Sequence, residues 1–353
     1  MIFEQIILHC FQNIKAERSS SSIYHLLKGK RSIQTVQDAH LYSLGSYYGV
    51  YKSISKGYYD KKIHELVKDD LLEMVDEQEA LYHISHKGLE WKNNQAFPLS
   101  FKGLLYFDKA DIFMGRLLLL IQTLTNSKMN FYSFIPVVNN PEIELWVKHA
   151  YRRVKGSESV ILYKIYSELK LCLSQLLEKE ANIFVDRLTG YQSYGMSLFQ
   201  LSKEYNMTVD DIHLILISII HRILGDLEVD STKFPILSTM VDKKSSLSQI
   251  TNSASETYKY FLNGLTIEQI ANVRHLKLNT IQDHLVEIAL YDHQFSIDRY
   301  VNKNEQNEIL SALKKANSHR LKDIKKLVDD HINYFQIRLV LAIQNKHNRQ
   351  GGN

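Results

Sequence analysis

The sequence predicts a mainly α-helical protein built from several helical units, with one small β-hairpin near the N-terminus and a helix-turn-helix at the C-terminal end. Three observations carry this expectation. Apolar residues recur at helical spacing through much of the chain, as in Tyr59, Ile63, Leu66 and Val67. Hydrophobic residues make up 44% of the 353, while proline and glycine number only 4 and 14, the composition of a folded, helix-rich protein. Two short runs, Leu71–Val75 and Ala80–Ile84, read as strands around the polar turn Asp76-Glu77-Gln78-Glu79.

Taken in order, residues 1–17 form an apolar helical segment (Ile2, Phe3, Ile6, Ile7, Phe11) suited to packing, and Ser19–Ser22 is a polar break. From Ile23 to about Lys92 the pattern runs helix, helix, helix, hairpin, the order of a winged helix, and Ser55 is placed to cap its third helix. Residues 93–250 are mostly helical, with Pro136 and Pro141 bounding a loop. A helix-turn-helix pattern at Ser197–Ile223 turns at Asn206-Met207 and is capped at Thr208. Its second helix is apolar nearly all round, which marks it as buried and structural. Lys243–Ser255 is polar and serine-rich, the expected linker. The division is therefore a unit at 1–95, a helical middle at 96–242, a C-terminal unit at 253–347 and a frayed tail at 348–353.

The last pair has the clearest grammar. Thr266 can cap a helix carrying Ile267, Ile270 and the small Ala271 on one face. His275-Leu276-Lys277-Leu278 makes the turn, and Asn279 or Thr280 is expected to cap the next helix. Ile281, Leu285, Ile288 and Ala289 face inward, leaving Asn279, Thr280, Gln282, Asp283, His284 and Glu287 near a face that could meet a groove. Asp283 and Glu287 make that face acidic, which favours docking to protein over reading bases.

Composition and motifs exclude much chemistry. Residues 1–240 balance at 27 Lys+Arg against 27 Asp+Glu, and residues 241–353 hold 16 against 12, so the formal +4 comes from the C-terminal end. The two cysteines, Cys10 and Cys172, lie far apart and form no metal-binding pair, which points to buried thiols in a reducing cytoplasm and to no zinc. The apolar runs Leu117–Ile121 and Leu214–Ile220 are too short to span a bilayer, and the N-terminus lacks a signal-peptide pattern. No phosphate loop, dinucleotide fingerprint, nucleophile elbow or zinc-protease motif occurs, and Lys28-Gly29-Lys30-Arg31-Ser32 lacks the upstream glycine of a phosphate loop. His83 and His86 tend to face differently, while His213 and His221 read as core or boundary residues. The expectation is a non-enzyme with no cofactor.

Two stretches carry a resemblance. GLTIEQIANVRHLKLNTIQDHLVEIA, with the later HRLKDIKKLVDDHINYFQIRLVLA, resembles the helix-turn-helix domain at the C-terminal end of some RecQ-type helicases. YHLLKGKRS, YYGVYKSISKGYYDKKIHELVKDDLLEMV and LYHISHKGLEW resemble the winged-helix part of the RecQ C-terminal region. The second likeness departs from its pattern in three ways: Asp70 stands where a glycine is usual, the zinc-binding cysteines are absent, and the acidic hairpin tip has no aromatic wedge. The whole chain resembles the YpbB family of bacterial proteins, which carries the C-terminal domain without a helicase motor.

The residue candidates for DNA contact follow. Lys61, Lys62, His64 and Lys68 lie on the third helix of the N-terminal unit, alongside Asp60, Glu65, Asp69 and Asp70, which can pair with them. Asn279, Thr280, Gln282 and His284 lie on the second helix of the C-terminal pair. Lys322, Lys325 and Lys326, spaced i, i+3, i+4 with Arg320 close by, form an expected phosphate-contacting stripe, followed by a helix from Tyr334 that Asn333 caps. The function these readings imply is a non-catalytic accessory factor of a RecQ-type DNA helicase, supplying DNA-binding or targeting modules in trans for repair or recombination, with weak, sequence-tolerant DNA binding. The rivals are a helix-turn-helix transcription regulator and a scaffold with no nucleic-acid contact.

Overall fold

A computed structural model of the chain describes residues 1–96, 99–242, 250–292 and 294–350, with side chains through Gln344. It is mainly helical, as expected. The N-terminal part comprises α1 (Ile2–Ile14), α2 (Ser20–Lys28), α3 (Ile33–Leu41), a 3-10 turn (Gly45–Tyr47), α4 (Lys56–Lys68), β1 (Leu72–Asp76), β2 (Leu81–Ile84) and α5 (His86–Asn93). Helix α1 is the centre of this region, with Phe3, Ile6, Ile7, Leu8, Cys10 and Phe11 fully buried. The expected polar break at Ser19–Ser22 is not a break. Ser20–Ser22 form the first turn of α2, where the Ser22 hydroxyl donates to the Ser19 carbonyl at 2.6 Å.

Ser55 caps α4 by accepting the Tyr58 N–H. The strands pair antiparallel with an irregularity between Met74 and Asp76. Asp70 takes φ +57°, the left-handed conformation that glycine adopts without strain, which explains why glycine suits that position. Gly29, in the stretch that superficially looked like a phosphate loop, is the left-handed cap of α2 (φ +71°). A Cβ there would lie 2.1 Å from the Phe107 ring.

The middle comprises α6 (Gly103–Tyr106), α7 (Ala110–Lys128), α8 (Pro141–Val154), α9 (Glu158–Leu173), α10 (Glu178–Val185), α11 (Leu198–Glu204) and α12 (Val209–Val229), then a 3-10 turn (Leu237–Met240). The apolar helix α12 is buried as the sequence predicts, and it reaches back to the N-terminus. Asp211 accepts the Ile2 N–H at 2.7 Å, and both Tyr51 and Tyr58 donate to Asp210. One continuous buried cluster runs from Phe3 to Met240.

The C-terminal part comprises α13 (Asn252–Leu262), α14 (Ile267–Arg274), α15 (Leu278–Tyr291), α16 (Lys303–Ala316), α17 (Leu321–Lys325) and α18 (Tyr334–Gln350) around a second cluster from Ile250 to Ala342. Asn333 caps α18, accepting the Gln336 N–H at 3.0 Å while Gln336 returns the bond. Residues 243–249 of the expected linker lie outside the described residues, as does the tip of the tail, 351–353. No helix among the described residues is long and apolar enough to cross a membrane. Among them, too, no three His, Cys, Asp or Glu side chains gather as a metal site.

Candidate nucleic-acid interface

The C-terminal helix pair is built as its sequence suggests at the first helix. Thr266 and Gln269 form a reciprocal capping box, and His275 closes α14 in the left-handed conformation at φ 52°. The second helix departs from expectation. It begins at Leu278, so neither Asn279 nor Thr280 caps it. The N-cap position is Lys277, whose side chain makes no capping bond. The turn closes instead through the backbone, with Thr280 N–H donating to the Lys277 carbonyl at 2.9 Å.

The outward face expected for α15 is mostly covered. Helix α15 packs against α13, α14, α18 and, from the N-terminal region, α3. His284, a candidate base contact, is 8% exposed, and its Nδ1 lies 2.8 Å from the Thr257 hydroxyl. Burial, reinforced by Arg274, holds its pKa below the usual imidazole value. The acidic face is likewise engaged by partners within the chain. The Glu287 carboxylate accepts both the N–H and the hydroxyl of Thr251, the residue that caps α13, and burial raises its pKa. Asp283 pairs with Arg338 at 2.7 Å. Arg338 in turn exchanges two hydrogen bonds with Gln37 of α3. A two-helix pattern contains none of α13, α18 or α3, so it could not place these partners. Lys277, Leu278 and Asn279 stay exposed, and Thr280 and Gln282 are half-buried.

The C-terminal stripe is not one face of one helix. Helix α17 has only five residues. Lys325 turns its ammonium to the carbonyls of Asp329 and Asp330, both at 3.1 Å, closing the loop ahead of α18. Lys326 lies 3.7 Å from Asp323, and Lys322 is exposed. Arg320 points into the molecule, where its guanidinium donates to the carbonyls of Ala16 and Glu17. Those carbonyls are presented by a turn in which Lys15 and Ala16 both have left-handed backbone, φ 50° and 58°. The same seam holds His319, whose backbone N–H donates to Glu17 at 2.8 Å, and Arg18, which pairs with Asp38 at 3.0 Å.

In the N-terminal unit, Lys62 is a fastener between helices. It lies 3.0 Å from the buried Glu4 of α1 and 3.2 Å from Glu65, which together raise its pKa despite burial. Lys61 is exposed and only loosely opposed by Glu65 at 3.8 Å. His64 and Lys68 are exposed on the same helix. The structure thus leaves Lys61, His64, Lys68, Asn279 and Lys322 on the surface, and puts Lys62, His284, Arg320 and Lys325 to structural use.

With this geometry in place, comparison with known proteins adds two relationships. Residues 253–341 match the family model described as a helix-turn-helix domain. Over 347 residues, 97% of each chain, the sequence is 28% identical to Protein YpbB of Bacillus subtilis (strain 168). No solved structure matches.

Proposed function

We propose that the chain is a non-catalytic accessory factor of a RecQ-type DNA helicase, bringing DNA-binding and targeting modules in trans for repair or recombination. The observation that carries this reading is the cover over α15. A sequence-reading regulator lays its second helix in the major groove. Here α3, α13 and α18 pack against that helix, its fully exposed residues are Leu278 and Asn279 in the first turn, and Gln282, Asp283 and Glu287 are half-buried. A domain of this kind is better suited to docking and to loose backbone contact than to reading a palindrome. The helix–helix–helix–hairpin order of residues 20–84 and the helix-turn-helix match at 253–341 are the parts on which the helicase likeness rests.

Mixing the purified chain with a RecQ-type helicase that lacks its own C-terminal modules tests the proposal. The expected result is co-elution on gel filtration and faster unwinding of a forked duplex, with no ATP turnover by the chain alone. No complex, together with selection of a palindromic site from random duplexes, would transfer the assignment to a transcription regulator.

A further inference from the structure

The evenly balanced charge of residues 1–240 hides a local segregation. Between Lys148 and Lys170 lie six Lys or Arg residues against two Glu. This stretch is the end of α8, a three-residue turn at Lys155-Gly156-Ser157, and most of α9. Lys148, Arg152, Arg153, Lys155, Lys164 and Lys170 are all exposed, and among the described residues none forms an ion pair. The two carboxylates are engaged elsewhere. Glu168 is buried and accepts the N–H groups of Ile236 and Leu237, and Glu158 accepts from Ser127 at 3.0 Å. Glu142 and Glu144 sit in the first turn of α8, about 12 Å or more along the axis from Arg152.

Aromatic rings accompany this charge. Tyr163 and Tyr166 stand 70% and 58% exposed, with Val160 beside them at 56%. Their ring centroids are 6.4 Å apart, and Lys170 reaches over the Tyr166 ring at 5.9 Å. The spacing i, i+3, i+7 places Tyr163, Tyr166 and Lys170 on one outer face of α9. Helices α8 and α9 both pack on α7, and beside α8 lies an apolar cavity of about 510 Å³, completed by Leu120 of α7, Ile161 of α9 and Ile236 and Thr239 at the second 3-10 turn. Trp146, Ala150, Val154 and Ile161 line it, with His149 and Arg153 on the α8 side. The Trp146 ring is held by Arg116, 4.9 Å from its centroid, and Arg116 is anchored by Asp242.

We propose that the α8–α9 hairpin binds single-stranded DNA. Unpaired cations along a track attract phosphates, and exposed tyrosines offer flat surfaces on which unstacked bases stack without regard to sequence. Arg153 and His149 are placed to hold a phosphate while a base enters the cavity beside α8. Duplex DNA keeps its bases stacked and can use only the charge. The choice of DNA over RNA rests on the accessory-factor reading; the single-strand character rests on the hairpin alone.

The test is fluorescence anisotropy of the full chain with an oligothymidylate and with a duplex of equal length, across a salt series. Tighter binding of the single strand is expected. R152Q/R153Q/K155Q should flatten the slope of log K against log salt by about two units on the single strand. Y163A/Y166A should weaken single-strand binding about fivefold or more per ring lost, and leave duplex binding unchanged. These five side chains are exposed, and circular dichroism verifies that both variants fold. Wild-type affinity in both variants, with binding abolished by changes at Lys322 and Lys61 instead, would overturn the hairpin site and leave the DNA reading of the chain standing. Failure to bind either strand form at low salt would overturn both. Competition by poly-glutamate as strong as by oligothymidylate would make the hairpin a surface for acidic protein, and would also overturn the proposal.

Discussion

The pairs α11–α12 and α14–α15 share almost the same local design. Each opens with a capping box, Ser197 with Gln200 and Thr266 with Gln269. Each turns through one left-handed residue, Asn206 at φ 49° and His275 at φ 52°. Each second helix is then buried over most of its surface, but by different chemistry. In α12 the buried residues are mainly Ile and Leu, and its buried polar groups are matched to distant partners: Asp210 accepts from Tyr51 and Tyr58, Asp211 from the Ile2 N–H, and His221 from the Lys102 N–H. In α15 the apolar face is narrower, and the polar side chains beside it are held at its edge by partners: buried His284 by Thr257, half-buried Glu287 by Thr251, and the partly exposed Asp283 by Arg338. A buried polar group with a partner costs little, and one without costs a great deal. The burial of α12 can be inferred from α12 alone because it is apolar nearly all round, although the partners of its polar groups cannot. That of α15 depends on three other helices.

The largest effects should separate the two cores. Leu214 in α12 and Leu285 in α15 are both fully buried. Truncation of either to Ala should cost about 2–5 kcal/mol. Because Leu214 belongs to the cluster of residues 3–240 and Leu285 to that of residues 250–342, calorimetry should show each variant shifting a different part of the transition. A single transition shifted equally by both would mean that the seam along α3 makes the two clusters one cooperative unit.

Titration offers a second contrast. His221 of α12 accepts the Lys102 N–H through Nδ1, and burial pushes its pKa down to about 4. The unfolded chain takes up this proton near pH 6.5 while the folded chain resists it, so the unfolded state binds more protons in between. Stability from this site is whole above pH 6.5 and drains away as pH falls towards 4, by about 3 kcal/mol in total. Urea titrations at a series of pH values should show this slope, and H221N should flatten it. His284 is shifted in the same direction, so H284N should flatten the acid loss of the C-terminal cluster. A pH dependence unchanged in H221N would mean that other groups set the acid limit.

Much of the architecture was legible in the sequence, and the misses have physical reasons. The hairpin strands, the caps Ser55, Thr208, Thr266 and Asn333, and the buried α12 follow from local rules, since each is decided within a few residues. The fates of Arg320, Lys325 and His284 were not legible. Arg320 meets carbonyls some 300 positions away, Lys325 serves a loop its helix does not contain, and His284 sits against α13. The basic stretch across α8, the following turn and α9 was hidden by arithmetic: a charge balance taken over 240 residues averages six exposed cations against carboxylates on other surfaces.

The smallest expected effect sharpens the comparison at one hydrogen bond. Thr208 caps α12, its hydroxyl accepting the Asp211 N–H at 3.0 Å. Lys277 holds the same position before α15 and accepts nothing through its side chain. Thr208→Ala should therefore cost about 1 kcal/mol, while Lys277→Ser should gain a few tenths to 1 kcal/mol. The gain should fall at the low end. Thr280 N–H is already bonded to the Lys277 carbonyl, so a new hydroxyl chiefly serves the N–H of the exposed Asn279. Both changes can be read from chemical denaturation midpoints. If Lys277→Ser destabilises the chain, the lysine is making a contact that α15 needs, and the open first turn differs from the capped one by more than a missing hydroxyl.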